Sequence, residues 1–371
     1  MQPLANSSPA SAAPDQQTTR SVLRPTITTS GLMARLACLA CSAFLWTAST
    51  LLSPLMAATP FAAGFETLQA ADGADKPLEV AVWYPTQAVA RQVDMGPFTM
   101  NIALGGAIGS AVAGRALPLI VISHGNGGAT MSHHDTAVAL AQAGFVVAAV
   151  AHTGDNHADQ SRAASMMDRP RHISRVIDHM LTQWPGKDRI DATRIGVFGH
   201  SSGAFTALAT VGGAADLARI APHCQQRPGD YPCQLIGRQP AGTAALVAAM
   251  AQPSPDARVR AAVVAAPALG FTFTQASLGA ISVPVQLWRA HEDTVLPHPW
   301  YVEPVRAALP QPLDYHDVAN AGHFDFLAPC TARFAAMAPP LCSSQAGFDR
   351  EAFHRDFNAS VVGFFKTAMK L

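Results

Sequence analysis

Seven short runs, most of them rich in Val, Ile and Ala, recur along the chain: "LEVAVWYP" (78–85), "PLIVISHG" (118–125), "FVVAAVAH" (145–152), "RIGVFGHS" (194–201), "RAAVVAAP" (260–267), "VPVQLWRA" (283–290) and "LDYHDV" (313–318). A strand that is apolar on both faces must be covered on both faces. Between these runs lie "HHDTAVALAQAG", "RPRHISRVIDHMLTQ" and "YVEPVRAALP", and "REAFHRDFNASVVGFFKTAMK" follows the last, all with helical spacing or composition. The β-α-β-α order predicts an α/β fold with a mostly parallel central sheet flanked by helices. "LGGAIGSAVAG" (104–114) lacks G-x-G-x-x-G spacing and precedes a strand, so it reads as a loop.

Only 13% of the 371 residues are charged, against about 25% in an average soluble domain, and 49% are hydrophobic. That composition suits one large core. Lys plus Arg equals Asp plus Glu at 25 each, with no long run of either sign, so nothing favours nucleic acid or an anionic membrane as partner.

Residues 1–32 are rich in Ser, Thr, Pro and Gln and read as a disordered extension. No charged residue occurs from Leu36 to Phe65, and "LACLACSAFLWTASTLLSPLMAA" follows Arg35 and ends in small residues after Pro54. This is the layout of a secretory signal peptide over 33–58, cleaved near Ala57 or Ala58, with a membrane anchor as the alternative. Residues 59–371 then form the mature domain, free of integral membrane association and periplasmic or secreted. Export makes Cys224, Cys233, Cys330 and Cys342 candidates for two local disulfides, Cys224 with Cys233 and Cys330 with Cys342. Their spacings are not those of a C-x-x-C zinc site.

"VFGHSSGAFTA" (197–207) ends a strand and opens a helix, with glycines two before and two after Ser201. This is the nucleophile elbow. Ser201 is the candidate nucleophile, and the main-chain N–H of Ser202 a candidate oxyanion donor. Upstream, "VISHGNGG" (121–128) carries a strand into a glycine-rich loop that can supply the second donor, assigned to Asn126 with Gly127 next. The base belongs late in the chain, after the acid. His323 in "VANAGHFDF" fills that slot better than His291, His298 or His316. Asp293 in "VPVQLWRAHEDTVLP" follows a strand and is the candidate acid, with Glu292 its close rival, whereas Asp325 reads as a hydrogen-bonding residue of the base's loop.

"SHGNGG", "GHSSGA", "HEDTVLP" and "AGHFDF", with "VAVWYPT" and "HTGDN", resemble the α/β-hydrolase group of dienelactone hydrolase-like and platelet-activating-factor acetylhydrolase-like enzymes, over roughly residues 75–370. The resemblance implies the α/β-hydrolase fold and a Ser-His-Asp mechanism. Two departures stand out: dienelactone hydrolases use cysteine where this chain has Ser201, and Ala204 replaces the second glycine of the acetylhydrolase G-H-S-x-G-G pattern. They point away from lactones and from phospholipid specificity.

The expectation is a serine esterase acting on small-molecule or polymeric carboxylic esters, with no cofactor and no metal. "HTGDNHADQ" (152–160) and a small cap insertion at about 212–256 should wall the substrate site, with Trp300 and Phe324 as possible apolar contacts. An acyltransferase would use the same residues. A catalytically inactive binding protein is a third reading, against which the intact Ser, Asp and His argue.

Overall fold

The computed structural model describes residues 61–105, 111–238 and 255–371. The N-terminal extension, the signal segment, the middle of the 104–114 loop and residues 239–254 of the expected cap lie outside the described residues.

Eight strands form one sheet: β1 (Ala62–Ala70), β2 (Leu78–Thr86), β5 (Leu117–Ser123), β6 (Val146–Val150), β7 (Ile190–His200), β8 (Val259–Ala265), β9 (Val285–Ala290) and β10 (Asp314–Val318). Their order is β1-β2-β6-β5-β7-β8-β9-β10. The pairs β1/β2 and β2/β6 are antiparallel, and every pair from β6 to β10 is parallel. A separate hairpin joins β3 (Arg91–Met95) to β4 (Phe98–Ile102).

The central strands are apolar because both faces are covered. All residues of β5 and β6 are buried, and successive side chains feed opposite layers. Leu119 and Val121 of β5 pack with Ile173, Val176 and Ile177 of α2 (Asp168–Thr182) and Phe205 of α3 (Ser202–Thr210). Ile120 and Ile122 pack on the other face with Leu140 of α1 (His134–Gln142) and with Phe357, Val361 and Phe365 of the C-terminal helix (Arg350–Ala368).

Register places the functional loops at one edge. Gly199 of β7 lies beside Ser123 of β5 and Val264 of β8, Ala265 pairs with Trp288, and Ala290 with Val318. The loops that follow β5, β7, β8, β9 and β10 therefore leave the sheet side by side, the position where open α/β sheets hold their ligands.

The described part of the cap is helical, with α4 (Ile220–Gln226) and α5 (Tyr231–Gly237). Both disulfides form as the cysteine spacing suggests, Cys224–Cys233 tying these two helices and Cys330–Cys342 closing a loop after β10. No helix among the described residues is long and apolar enough to cross a membrane.

Candidate active site

Ser201 sits between β7 and α3 with φ 57° and ψ −117°, a conformation that costs a non-glycine residue about 1–3 kcal/mol. The turn is held from the loop after β8: Ser201 N–H donates to Ala265 O at 2.9 Å, and Ser201 O accepts from Ala268 N–H at 3.0 Å. Although Ser201 is the N-cap of α3, its hydroxyl makes no capping bond. It remains available for other use.

Two glycines make the turn possible by absence of a side chain. A Cβ on Gly199 would stand 2.0 Å from the Gly203 carbonyl oxygen, and one on Gly203 would stand 1.9 Å from that of Ser123. The start of α3 thus rests directly on the end of β5. Ser202, the first residue of α3, has no preceding helical carbonyl for its N–H.

His323 and Asp293 meet across two loops. His323 Nδ1–H donates to Asp293 Oδ2 at 2.7 Å, and both side chains are buried. The other carboxylate oxygen accepts from Val295 and Leu296 N–H at 2.9 and 2.7 Å, which fixes the carboxylate plane. Glu292 is exposed, and its main chain bonds Ala321. His200, immediately before Ser201, lies with its ring 4.8 Å from that of His323 and donates from Nε2 to His323 O at 3.0 Å. That contact brings the His323 loop to the elbow. No hydrogen bond joins Ser201 Oγ to His323 among the described residues.

The His323 loop is anchored behind by Asp325. Its carboxylate accepts from Gly322 N–H at 2.7 Å and from Arg350 Nε–H at 2.9 Å, while its carbonyl accepts from His354 Nε2–H at 2.8 Å. Arg350 also donates to Leu341 O beside the Cys330–Cys342 bridge.

The 124–128 loop lies against Ser201, since a Cβ on Gly125 would stand 3.3 Å from Ser201 Cβ. Gly127 N–H is taken by Asp155 Oδ1 at 2.9 Å. Of the two donors the sequence offered from this loop, the Asn126 N–H is the one Asp155 leaves free. Asp155 Oδ1 also accepts from Asn126 Nδ2 at 2.7 Å, and Tyr231 of α5 donates its hydroxyl to Asn126 Oδ1 at 2.5 Å. Behind them Arg169 is buried, bonded from Nε to Asp155 Oδ2 at 2.9 Å and from Nη1 to His124 O at 2.7 Å.

Arg169, Tyr231 and the His200 contact were not legible as functional features in the sequence. One signal was present: Arg169 falls in phase with buried Ile173, Val176, Ile177 and Met180 on the inner face of α2, where an isolated charge needs a partner. Asp155, in the quoted "HTGDN", is that partner.

Burial holds the surrounding imidazoles neutral. It pushes His133 down to about 4, and His124, His152 and His200 well below the ordinary histidine value, with Arg169 adding to the effect at His124 and His152. No group of three or more His, Cys, Asp or Glu among the described residues is arranged to hold a metal ion.

Residues 86–172 match the family model for platelet-activating factor acetylhydrolase, isoform II. No curated protein sequence matches the chain. Among solved structures, a ferulic acid esterase from Streptomyces cinnamoneus superposes with a TM-score of 0.56 at 19% identity, covering 84% of this chain and 92% of that one. With the sheet order, that superposition shows the α/β-hydrolase fold, and the match to the acetylhydrolase family model is confined to residues 86–172.

Proposed function

We propose that this chain is a secreted serine hydrolase that cleaves carboxylic esters through an acyl-enzyme on Ser201. The observation that carries the reading is the elbow itself: a serine held at positive φ, its hydroxyl unused by the helix, beside a loop in which His323 is oriented by Asp293. With Nδ1–H committed to the carboxylate, His323 Nε2 is the nitrogen that accepts a proton.

In the reaction His323 Nε2 takes the Ser201 proton as Oγ attacks the ester carbonyl carbon. The oxyanion is held by the N–H groups of Ser202 and Asn126, each contributing about 3 kcal/mol to the barrier reduction. Collapse of the tetrahedral intermediate breaks the bond to the alkoxide, which leaves with the proton from His323. Water then attacks the acyl-enzyme by the same route and regenerates Ser201. Asp293 stabilises the imidazolium in both halves. The two disulfides support an oxidising compartment as the place of action.

The test is hydrolysis of nitrophenyl esters of graded acyl length, with and without a fluorophosphonate. Turnover blocked by one covalent label, abolished by Ser201→Ala and largely retained in Ser202→Ala, is the expected result. No turnover and no label would return the chain to the binding-protein reading. Loss of activity in Ser202→Ala alone would move the nucleophile by one residue.

A further inference from the structure

The Asn126 side chain is gripped at both ends. Its Nδ2 donates to Asp155, on the loop after β6, and its Oδ1 accepts from Tyr231, on the cap. Each partner is itself fixed. Asp155 is buried and paired with buried Arg169 at 2.9 Å, and Arg169 reaches on to the carbonyls of His124 and Gly125 at 2.7 and 3.3 Å. A buried ion pair is poor value as a source of stability, because desolvation cancels most of the attraction. Here every other side-chain hydrogen bond of the pair goes to the same short loop, residues 124–127.

Tyr231 is held from the cap side. The preceding residue, Asp230, accepts from Tyr301 Oη–H at 2.9 Å and from Arg227 Nε–H at 2.9 Å, and Cys233 is bridged to Cys224. Tyr231 itself is 43% exposed, so burying its ring is not what keeps it there.

We propose that the Asn126 side-chain amide is the joint that aims the Asn126 main-chain N–H at the oxyanion, with Arg169 and Asp155 as its buried positioning residues and Tyr231 as a positioning residue carried by the cap. The proposal rests on the serine-esterase reading above. It links the cap to the chemical step: a cap residue that touches no reacting atom sets the rate through Asn126. A single shift of about 1 Å in such a donor costs on the order of a hundredfold in rate, so small groups outside the reacting centre can matter.

The experiment is a double-mutant cycle on nitrophenyl ester hydrolysis, with fluorophosphonate labelling and thermal melting of each variant. Tyr231→Phe removes one hydrogen bond from a half-exposed side chain and should lower kcat about three- to tenfold, with KM and melting temperature nearly unchanged. Asn126→Ala keeps the main-chain N–H but removes the joint, and should lower kcat at least as much. In the Asn126→Ala background, Tyr231→Phe should then have no further effect on kcat. Asp155→Asn should lower kcat about ten- to a hundredfold; if it does not fold, the Tyr231 and Asn126 cycle decides alone. Equal kcat losses from Tyr231→Phe in both backgrounds would mean that Tyr231 acts on the substrate itself, which overturns the proposal, as would no loss in either. A wild-type protein that neither labels nor turns over would instead refute the esterase reading.

Discussion

Acid should unfold this protein through its buried histidines. His124, His133, His152, His172 and His200 are all buried, and burial holds His133 and His172 down to about 4, with the other three well below the ordinary value. A folded-state pKa below the unfolded one means that the unfolded chain binds protons more readily. The stability contributed by these neutral rings is complete above about pH 6.5 and is lost as pH falls toward 4. For one histidine shifted from about 6.5 to about 4, the loss at about pH 5 is about 2 kcal/mol. His133 and His172 together therefore remove about 4 kcal/mol of a total that is typically about 5–15, and the other three act in the same direction. His354 opposes them: although burial disfavours its charge, Asp135 raises its pKa, so its contribution is present at low pH and fades as pH rises. His133 Nε2 and His200 Nδ1 are buried without hydrogen-bond partners among the described residues, so a proton added to either ring meets nothing to receive it. The assay is urea unfolding followed by circular dichroism at about pH 7.5 and about pH 5 at constant ionic strength, with His133→Gln alongside. The wild type should lose about 4 kcal/mol or more between the two conditions, and His133→Gln about 2 kcal/mol less than the wild type. Equal stability at both pH values, or an unchanged difference in the variant, would refute the reasoning.

Asp293→Asn should lower kcat by about four orders of magnitude while the protein still folds, because the amide presents the wrong tautomer to His323, as kinetics and melting together would show. Gly203→Ala should not give a stable fold, since the new Cβ meets a main-chain carbonyl that cannot move aside; soluble yield and melting temperature test this. Replacing Cys330 and Cys342 by serine should remove about 3 kcal/mol of stability and reduce turnover through the His323 loop, measurable by urea unfolding and ester hydrolysis. Ester hydrolysis should be unchanged in EDTA, and activity lost with the chelator and restored by a divalent ion would overturn the metal-free mechanism.

The central strands of the sheet were legible because burial on both faces writes short runs of Val, Ile and Ala bounded by turn residues. Strand β1, "AAGFETLQA", writes no such run: it is an edge strand in which only Ala63–Phe65 and Ala70 are buried, while Glu66 to Gln69 alternate half-buried and exposed. The β3–β4 hairpin is also largely exposed and writes no apolar run. At the site, Ser201 was marked by glycines that the turn requires. The Asp155–Arg169 pair was not, because its partners on the 124–127 loop are mostly main-chain atoms, and a carbonyl that accepts a hydrogen bond leaves no trace in residue identity. Asn126 and Gly127 differ only in which N–H a distant carboxylate consumes, a matter of three-dimensional placement.

The clamp on the His323 loop also orders events in time. Ser201, Asp293 and His323 are translated before Arg350 and His354, the two residues of the last helix that fix Asp325 and with it the loop. A growing chain thus possesses the three candidate catalytic side chains before it can aim them. On the serine-esterase reading proposed above, competence to cleave an ester would arrive only once the helix carrying Arg350 and His354 docks against the His323 loop.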